Sequence, residues 1–272
     1  IYVPKGKIAP GKLSQAFQFS ADIFQVEGNF DDALQVVLEK GERGAYVINS
    51  VNPFRLEGQK TMIYRILEYF DWEPPDWIVF PRGNMGNCSA FGKAIMELYK
   101  WGWIKKIPRF VSVDAAGTNT FFKMYNGLYR DEKLRWNGGK VNDKLIQSYY
   151  EYLDKEKIKP KTSATAIQIG RPVNIKKGLR SLDFTDGIST QVTDKEMENG
   201  VAIVGSNGFD CEQASAACVG AIKQLVKNEI IRKDDKVVGI LTGRLKDAQM
   251  IVSYRSNSKN QFANPPKSFK RT

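Results

Sequence analysis

Short apolar runs alternate with amphipathic stretches along most of the chain. Runs such as Trp77–Phe80 and Phe110–Val113 are continuous and rich in aromatic and β-branched residues, which is typical of buried strands. The stretches between them repeat apolar residues every three or four positions, which predicts helices. Strands are predicted at 22–26, 45–48, 77–80, 110–113, 188–192 and 236–241, and helices at 11–20, 32–39, 56–70, 88–99, 174–182, 195–204 and 212–229.

The order of these elements predicts the class of fold. Strands that alternate with helices of this length form βαβ units, in which each crossover returns the chain to the same end of the sheet. We therefore expect an α/β fold of mostly parallel sheets with helices on both faces. The polar stretch 126–162 interrupts the pattern and is expected to be an excursion from the sheet.

The chain begins inside an apolar, strand-like run, Ile1–Pro4, without an initiator methionine. No positively charged segment precedes this run, so it does not have the form of a signal peptide. We expect the sequence to be a fragment whose first strand begins upstream. No apolar run approaches the roughly 18 residues that a membrane span requires. An odd number of cysteines without CxxC spacing makes a cytoplasmic, reduced protein the simplest expectation.

Composition excludes several kinds of chemistry. The 272 residues include no histidine, so a Ser-His-Asp triad, a Cys-His dyad and histidine-bearing zinc sites are impossible within this chain. The three cysteines, Cys88, Cys211 and Cys218, show no CxxC spacing, and we expect no metal site. Any chemistry must use lysine, arginine, aspartate, glutamate, tyrosine, cysteine, backbone amides or a cofactor.

The charge is unevenly distributed. Lysine and arginine number 41 against 30 acidic residues, a formal charge of +11, and the last nineteen residues carry five basic residues and no acidic one. Such a tail could be a nucleic-acid arm. It has no dense basic run and no aromatic interleaving, so a solvated extension is the favoured interpretation and nucleic acid is not an expected partner.

Glycine and asparagine dominate the loop that follows the strand at 77–80. Gly83 and Gly86 allow tight turning and close approach of the backbone to a ligand, and the helix predicted at 88–99 follows this loop. Free backbone N–H groups at a helix N-terminus form a cradle for an anion, to which Asn84 and Asn87 can add side-chain amides. The loop is neither a Walker A sequence nor a GxGxxG fingerprint, and an ordinary tight turn remains the alternative.

A second loop of this kind precedes the helix predicted at 56–70. Ser50, Asn52 and Arg55 offer two neutral donors and a fork-shaped cation, which suits a phosphate or a carboxylate. On spacing alone, helix capping by Asn52 with a solvated Arg55 is the simpler interpretation. Thr242 would place a hydroxyl at the end of the last strand, which is a weak signal by itself. The small residues at 214–217 suit helix packing or a planar ligand.

Taken in order, these motifs resemble threonine synthase, a family of the fold-type II pyridoxal-phosphate (PLP) enzymes. The block Asn52–Thr61 is quite specific to that family, whereas the glycine- and asparagine-rich loop is shared more widely among its relatives. The matching segments are 3–8, 11–13, 25–33, 49–61, 83–87, 164–172, 212–217 and 241–247.

The resemblance implies a cofactor, a substrate and a reaction. Threonine synthases convert O-phospho-L-homoserine and water to L-threonine and phosphate with PLP as cofactor. By resemblance, the PLP phosphate would be held by Gly83, Asn84, Met85, Gly86 and Asn87, and the pyridine nitrogen by Thr242. The substrate phosphate would be held by Ser50, Asn52, Arg55 and Lys12.

The resemblance also implies a division of the chain. Residues 1–48 would be the remaining part of a small α/β domain, 49–252 the large PLP-binding domain, and 253–272 a basic, flexible tail. The family's Schiff-base lysine lies upstream of its Ser/Thr-Gly-Asn loop, and no lysine here matches that motif, so we expect no catalytic residue in this chain and no activity from it alone. The family's Thr-Gly-His-Gly pattern reads Thr242-Gly243-Arg244 here, and Gln213 replaces a proline.

Two alternatives stay open. A related fold-type II enzyme, such as a threonine dehydratase or a cysteine synthase relative, would share the fold and cofactor, but its substrates carry no γ-phosphate for Arg55 to bind. A non-catalytic PLP- or anion-binding remnant would keep the glycine-rich loop without the reaction. The sequence leaves a homodimer open in each case.

Overall fold

The computed structural model describes residues 1–6, 16–28, 30–129 and 143–244 of the chain. Two sheets lie in these ranges. The smaller pairs β1 (Tyr2–Pro4) with β2 (Phe24–Val26) in parallel, and the larger contains β3 (Trp77–Pro81), β4 (Arg109–Ala115), β5 (Ile188–Val192) and β6 (Val237–Gly239).

The larger sheet is parallel throughout and has the order β5-β4-β3-β6. β3 therefore lies between β4 and β6, with Ile78 opposite Phe110 on one side and Val238 on the other. This arrangement confirms the predicted α/β class with parallel strands. It also brings the loops after β3 and β6 to the same edge of the sheet, although they are far apart in sequence.

Helices follow the strands along the chain. The first, α1 (Phe30–Glu42), packs against β1 of the small sheet. The remaining α-helices in the described part are α2 (Pro53–Gln59), α3 (Thr61–Tyr69), α4 (Gly86–Lys100), α5 (Thr120–Met124), α6 (Asp143–Lys155), α7 (Ile175–Phe184), α8 (Asp194–Ser206) and α9 (Gln213–Lys227). Short 3₁₀ turns at Ala116–Thr118 and Thr165–Ile167 and a π-helical turn at Tyr125–Tyr129 complete the path.

Two apolar clusters cover the two faces of the large sheet. Because side chains alternate along a strand, Ile78 and Phe80 face the cluster formed with α3, α4, α6 and α7, whereas Trp77 and Val79 face the cluster formed with α8 and α9. Phe80 packs edge to face on Phe91 of α4. Continuous burial of β3 follows from its position between two strands and two helical layers.

The structure differs from the sequence-based expectations at three places. Residues 45–48 form no strand, and Tyr46 and Ile48 are exposed, because no described strand lies beside this run to pair with it. The helix predicted at 56–70 is two helices that meet at Lys60. The predicted excursion 126–162 contains α6, whose Ile146 and Leu153 are buried in the core.

Other expectations fall wholly or partly outside the described residues. Of the helix predicted at 11–20, residues 16–18 are helical and 11–15 lie outside that part. Lys12 and the tail 253–272 lie outside it as well. The division of the chain at residue 48 stays a prediction. The separate two-stranded sheet lies before that residue, in the part predicted to belong to the small domain.

Candidate functional site

The carboxyl edge of the large sheet carries the two loops singled out in the sequence. β3 leads through Arg82 into the loop 83–85 and then into α4, and β6 leads into Thr242. Because β3 and β6 are neighbours in the sheet, both loops lie at the same edge, which is where open α/β sheets bind ligands. We call residues 83–87 the cradle loop.

The cradle loop presents backbone donors. Met85 adopts a left-handed conformation with φ 59° and ψ 20°, and this turn directs the chain into α4, whose first residue is Gly86. Within the described parts of the chain, no group accepts a hydrogen bond from the backbone N–H groups of residues 83–88. The positive end of the α4 dipole adds to these donors, so the loop is built to hold an anion.

Gln59 closes one side of the cradle loop. Its side-chain amide donates to Oδ1 of Asn87 over 2.7 Å, which leaves the donor side of the Asn87 amide for another partner. A Cβ atom at Gly86 would lie 3.3 Å from Gln59 Oε1, closer than most such contacts. Gln59 Oε1 is itself buried, without a partner among the described residues. A larger residue at position 86 would therefore fill the cradle.

The loop before α2 joins Ser50 to Arg55. Nη1 of Arg55, an exposed residue, donates to Oγ of Ser50 over 3.2 Å. Asn52 is the N-cap of α2: its Oδ1 accepts from the Phe54 N–H over 2.9 Å, and its Nδ2 donates to the Val47 carbonyl. Its side chain therefore holds the loop, as the simpler interpretation expected. Direct contact between Asn52 and a substrate phosphate stays a prediction.

Thr242 is held by a buried serine. Oγ of Ser215 lies 2.9 Å from Oγ1 of Thr242 and accepts hydrogen bonds from the N–H groups of Thr242 and Gly243 over 3.0 and 2.8 Å. The loop after β6 is also tied to the start of α9, because the Glu212 N–H donates to the Gly243 carbonyl. Thr242 remains exposed at the sheet edge.

The family of this chain follows from its similarity to known proteins. Residues 1–243 match the model of the family described as pyridoxal-phosphate dependent enzymes. The chain belongs to that family. Its members depend on PLP.

Curated relatives of this PLP-dependent enzyme include threonine synthases. The chain is 36% identical to that of Methanocaldococcus jannaschii over 250 residues, which is 91% of this chain and 56% of the relative. It is 35% identical to that of Methanosarcina acetivorans, over 93% of this chain and 58% of the relative. The chain therefore spans a little over half the length of these relatives.

Solved structures share the fold of this chain. A fungal L-serine ammonia-lyase from Rhizomucor miehei matches with a TM-score of 0.67 at 20% identity, over 94% of this chain and 73% of that one. The processed form of threonine deaminase isoform 2 from Solanum lycopersicum matches with a TM-score of 0.67 at 15% identity, over 94% and 61%. At these identities the likeness shows the fold alone.

The residues at the sheet edge fit PLP. A phosphate suits the unpaired N–H groups of the cradle loop, and the small Gly86 leaves room for it beside Gln59. Thr242 presents a hydroxyl on the neighbouring strand for a ring heteroatom. The individual assignments of Gly83, Asn84, Met85, Gly86, Asn87 and Thr242 stay predictions that this geometry supports.

Asn174 links the cradle loop to the loop before α2, and it was missed in the sequence. Its backbone N–H donates to the Asn84 carbonyl over 3.1 Å, and its side-chain amide donates to the Ser50 carbonyl over 2.8 Å. The preceding residue, Val173, donates its N–H to Oδ1 of Asn84. Asn174 is buried. It lies just after the segment 164–172, which resembles threonine synthase, and this position was the signal that the sequence offered for it.

A buried ion pair lies directly beneath the cradle loop and was also missed. Arg82 is 1% exposed and Asp114 0%, and two hydrogen bonds of 2.8 and 3.0 Å join the guanidinium to the carboxylate. The guanidinium also donates to the carbonyls of Thr118 and Ile169. Burial raises the pKa of the Asp114 carboxyl, and the charge of Arg82 opposes that shift. The sequence did contain a signal for this pair, because Arg82 and Asp114 are charged residues that lie just after the predicted strands at 77–80 and 110–113.

The cysteines do not provide a reactive thiol. Burial raises the pKa of the Cys88 and Cys218 thiols, and burial together with Asp210 and Glu212 raises that of Cys211 to about 11. Such thiols are protonated at neutral pH and are poor nucleophiles. Across the described ranges there is no group of three cysteine or acidic side chains that could hold a metal ion, and no helix there is long and apolar enough to span a membrane.

Proposed function

We propose that this chain is part of a threonine synthase, which converts O-phospho-L-homoserine and water to L-threonine and phosphate. The observation that carries the proposal is the pairing of Arg55 with Ser50 in a loop that Asn174 ties to the cradle loop. A substrate with a phosphate of its own needs a second anion site close to that of the cofactor. The similarity to threonine synthases from several organisms supports the same reaction.

Each part of the site has a role in this proposal. The cradle loop would hold the PLP phosphate, and Thr242 would hydrogen-bond the pyridine nitrogen. When bound, PLP supplies an electron sink for the carbanion chemistry. Arg55 and Ser50 would hold the substrate phosphate and stabilise the negative charge that grows on it as it leaves, which a guanidinium does well because it can bind two phosphate oxygens. Lys12 remains a proposed additional phosphate ligand.

The proposal assigns the proton-transferring lysine to another part of a longer protein. No lysine in this chain matches the family's lysine motif, and a lysine both attaches the cofactor and moves protons in this chemistry. We therefore expect the 272-residue chain alone to be inactive on phosphohomoserine. Turnover by that chain alone would refute this part of the proposal.

The test compares substrates and an arginine variant in the full-length protein. We expect turnover of O-phospho-L-homoserine with release of phosphate, and little reaction with L-threonine or L-serine. The Arg55→Ala variant should lose about 2–4 kcal/mol of transition-state binding, because it removes a charged hydrogen-bonding partner. That loss corresponds to a fall in kcat/KM of about 30- to 900-fold.

Arg65 provides a matched control. It lies on the exposed face of α3, where it pairs with Glu68 over 2.9 Å, so Arg65→Ala removes an equal charge away from the site. Arg65→Ala should leave kcat/KM unchanged. Efficient deamination of threonine, with phosphohomoserine inert, would favour a threonine dehydratase instead, and PLP binding without turnover of any of these substrates would favour a non-catalytic remnant. Sedimentation of the same protein tests the homodimer.

A further inference from the structure

Ser215 has more hydrogen-bond partners than a simple packing residue needs. It is fully buried in the first turn of α9, and its Oγ lies within hydrogen-bond distance of four groups in the loop after β6. These are the N–H groups of Thr242 and Gly243 at 3.0 and 2.8 Å, Oγ1 of Thr242 at 2.9 Å and the Gly243 carbonyl at 3.2 Å.

The number of protons available decides which group donates and which accepts in each of these hydrogen bonds. A serine hydroxyl has one proton to donate and two lone pairs to accept with. Both lone pairs of Ser215 are taken by the backbone N–H groups of Thr242 and Gly243, since an N–H can only donate. Ser215 must therefore donate its proton, either to Oγ1 of Thr242 or to the Gly243 carbonyl.

The hydroxyl of Thr242 is the better acceptor of the two. The O···O distance to Thr242 is 2.9 Å, against 3.2 Å to the Gly243 carbonyl, and O–H···O bonds are most frequent at about 2.7–2.8 Å. The Gly243 carbonyl also already accepts from the Glu212 N–H over 2.9 Å. The Ser215 proton therefore goes to Thr242, and the proton of Thr242 is left for a different acceptor.

We infer that Ser215 is a positioning residue that holds the Thr242 hydroxyl as a donor toward the ligand. This inference rests on the proposed function, in which the pyridine nitrogen of PLP lies against Thr242. A donor at that place requires the nitrogen to be an acceptor, and hence unprotonated. Sequence similarity identifies Thr242, whereas the direction of its proton comes from the bonds of Ser215.

Charged groups near this loop do not compete for the same position within the described residues. Nε of Arg244 lies 3.4 Å from Oδ2 of Asp210, so these two charges face each other. The carboxylate of Glu212 lies against Gly243, where a Cβ atom would come within 2.5 Å of its Oε1. The neutral pair Ser215–Thr242 therefore remains the contact offered at the end of β6.

The experiment measures the state of the pyridine nitrogen directly. The full-length protein is loaded with PLP labelled with the heavy nitrogen isotope in its ring, and the nitrogen chemical shift is recorded by NMR at neutral pH. We expect an unprotonated, hydrogen-bonded nitrogen in the wild type and in Thr242→Ser, which keeps the hydroxyl. Thr242→Val should move the shift toward that of an unprotonated nitrogen without a hydrogen bond.

Ser215→Ala is the decisive variant, with Ser181→Ala as its control. The hydroxyl of the buried Ser181 bonds the Lys177 carbonyl within its own helix, so its loss should not move the nitrogen shift. Ser215→Ala should move the shift in the same direction as Thr242→Val although Thr242 is intact, and the double variant should match Thr242→Val alone. A wild-type shift in Ser215→Ala with full PLP occupancy would overturn the inference.

Two further outcomes keep the inference independent of folding and of the proposed reaction. If Ser215→Ala does not fold, the wild-type spectrum still decides, because a protonated ring nitrogen would mean that Thr242 is not the donor. If the wild type binds PLP but does not convert phosphohomoserine, the proposed function fails while the nitrogen shifts still test Ser215.

Discussion

The ion pair of Arg82 and Asp114 should be one of the largest single contributions to the stability of the cradle loop. Neither side chain reaches solvent, and the carboxylate also accepts from the Phe122 N–H over 3.0 Å. Asp114→Ala leaves the guanidinium buried with only uncharged partners, the carbonyls of Gly83, Thr118 and Ile169. Removing one partner of such a pair costs about 3–5 kcal/mol, because the remaining charge is buried without compensation.

A double variant separates the pair from the rest of the site. Arg82→Met alone should cost a similar amount, because it leaves the buried carboxylate with only the Phe122 N–H as a donor and the carbonyls of Thr118 and Ile169 with none. In Arg82→Met/Asp114→Leu no charge is left buried, so the loss should be smaller than the sum of the two single losses by about 2 kcal/mol. The carbonyls of Thr118 and Ile169 remain without donors, so we expect the double variant to stay less stable than the wild type.

The assay is urea unfolding of the full-length protein, combined with binding of PLP and of pyridoxal. Since the pair lies beneath the cradle loop, Asp114→Ala should weaken PLP more than pyridoxal, which has no phosphate for the loop to hold. The exposed pair of Lys195 and Glu198 serves as control, because surface pairs contribute about 0–1 kcal/mol. A loss below about 1 kcal/mol for Asp114→Ala, or additive losses in the double variant, would refute the reasoning.

Two further substitutions test how the loops are joined. Asn174→Ala removes the side-chain bond to the Ser50 carbonyl but keeps the backbone bond to Asn84. It should raise KM for phosphohomoserine by about tenfold, the effect of one hydrogen bond of roughly 1.5 kcal/mol, and leave PLP affinity unchanged. Equal losses of affinity for phosphohomoserine and for PLP in titrations would contradict this. Gly178→Ala puts a Cβ atom 2.4 Å from Cε of Met85, so it should displace the cradle loop and weaken PLP binding. Fluorescence titration with PLP measures this loss. Gly205→Ala is the control, because no atom lies within 4 Å of a Cβ atom built there.

The parts of the fold that could be predicted are those in which local pattern and burial agree. The strand at 188–192 was predicted with the bounds that the structure shows, because β-branched residues occupy every second position. The helix after β3 was predicted within two residues of its start, because its apolar residues recur at helical spacing. The run 45–48 is also rich in β-branched and aromatic residues, but a strand needs a neighbour to pair with as well. Pairing is a property of distant segments, and the local pattern does not contain it.

The same reasoning explains which site residues were found. Gly86, Asn87 and Thr242 lie in short motifs at the ends of strands, where chain direction alone brings them to one edge of the sheet. Asn174 and Ser215 lie at the starts of α7 and α9. Ser215 acts through a bond to Thr242, 27 positions away in sequence, and Asn174 through a bond to Ser50, 124 positions away. Nothing in their local sequence indicates those partners. Only the folded chain brings Ser215 to the end of β6, and the donor character of Thr242 follows from that contact.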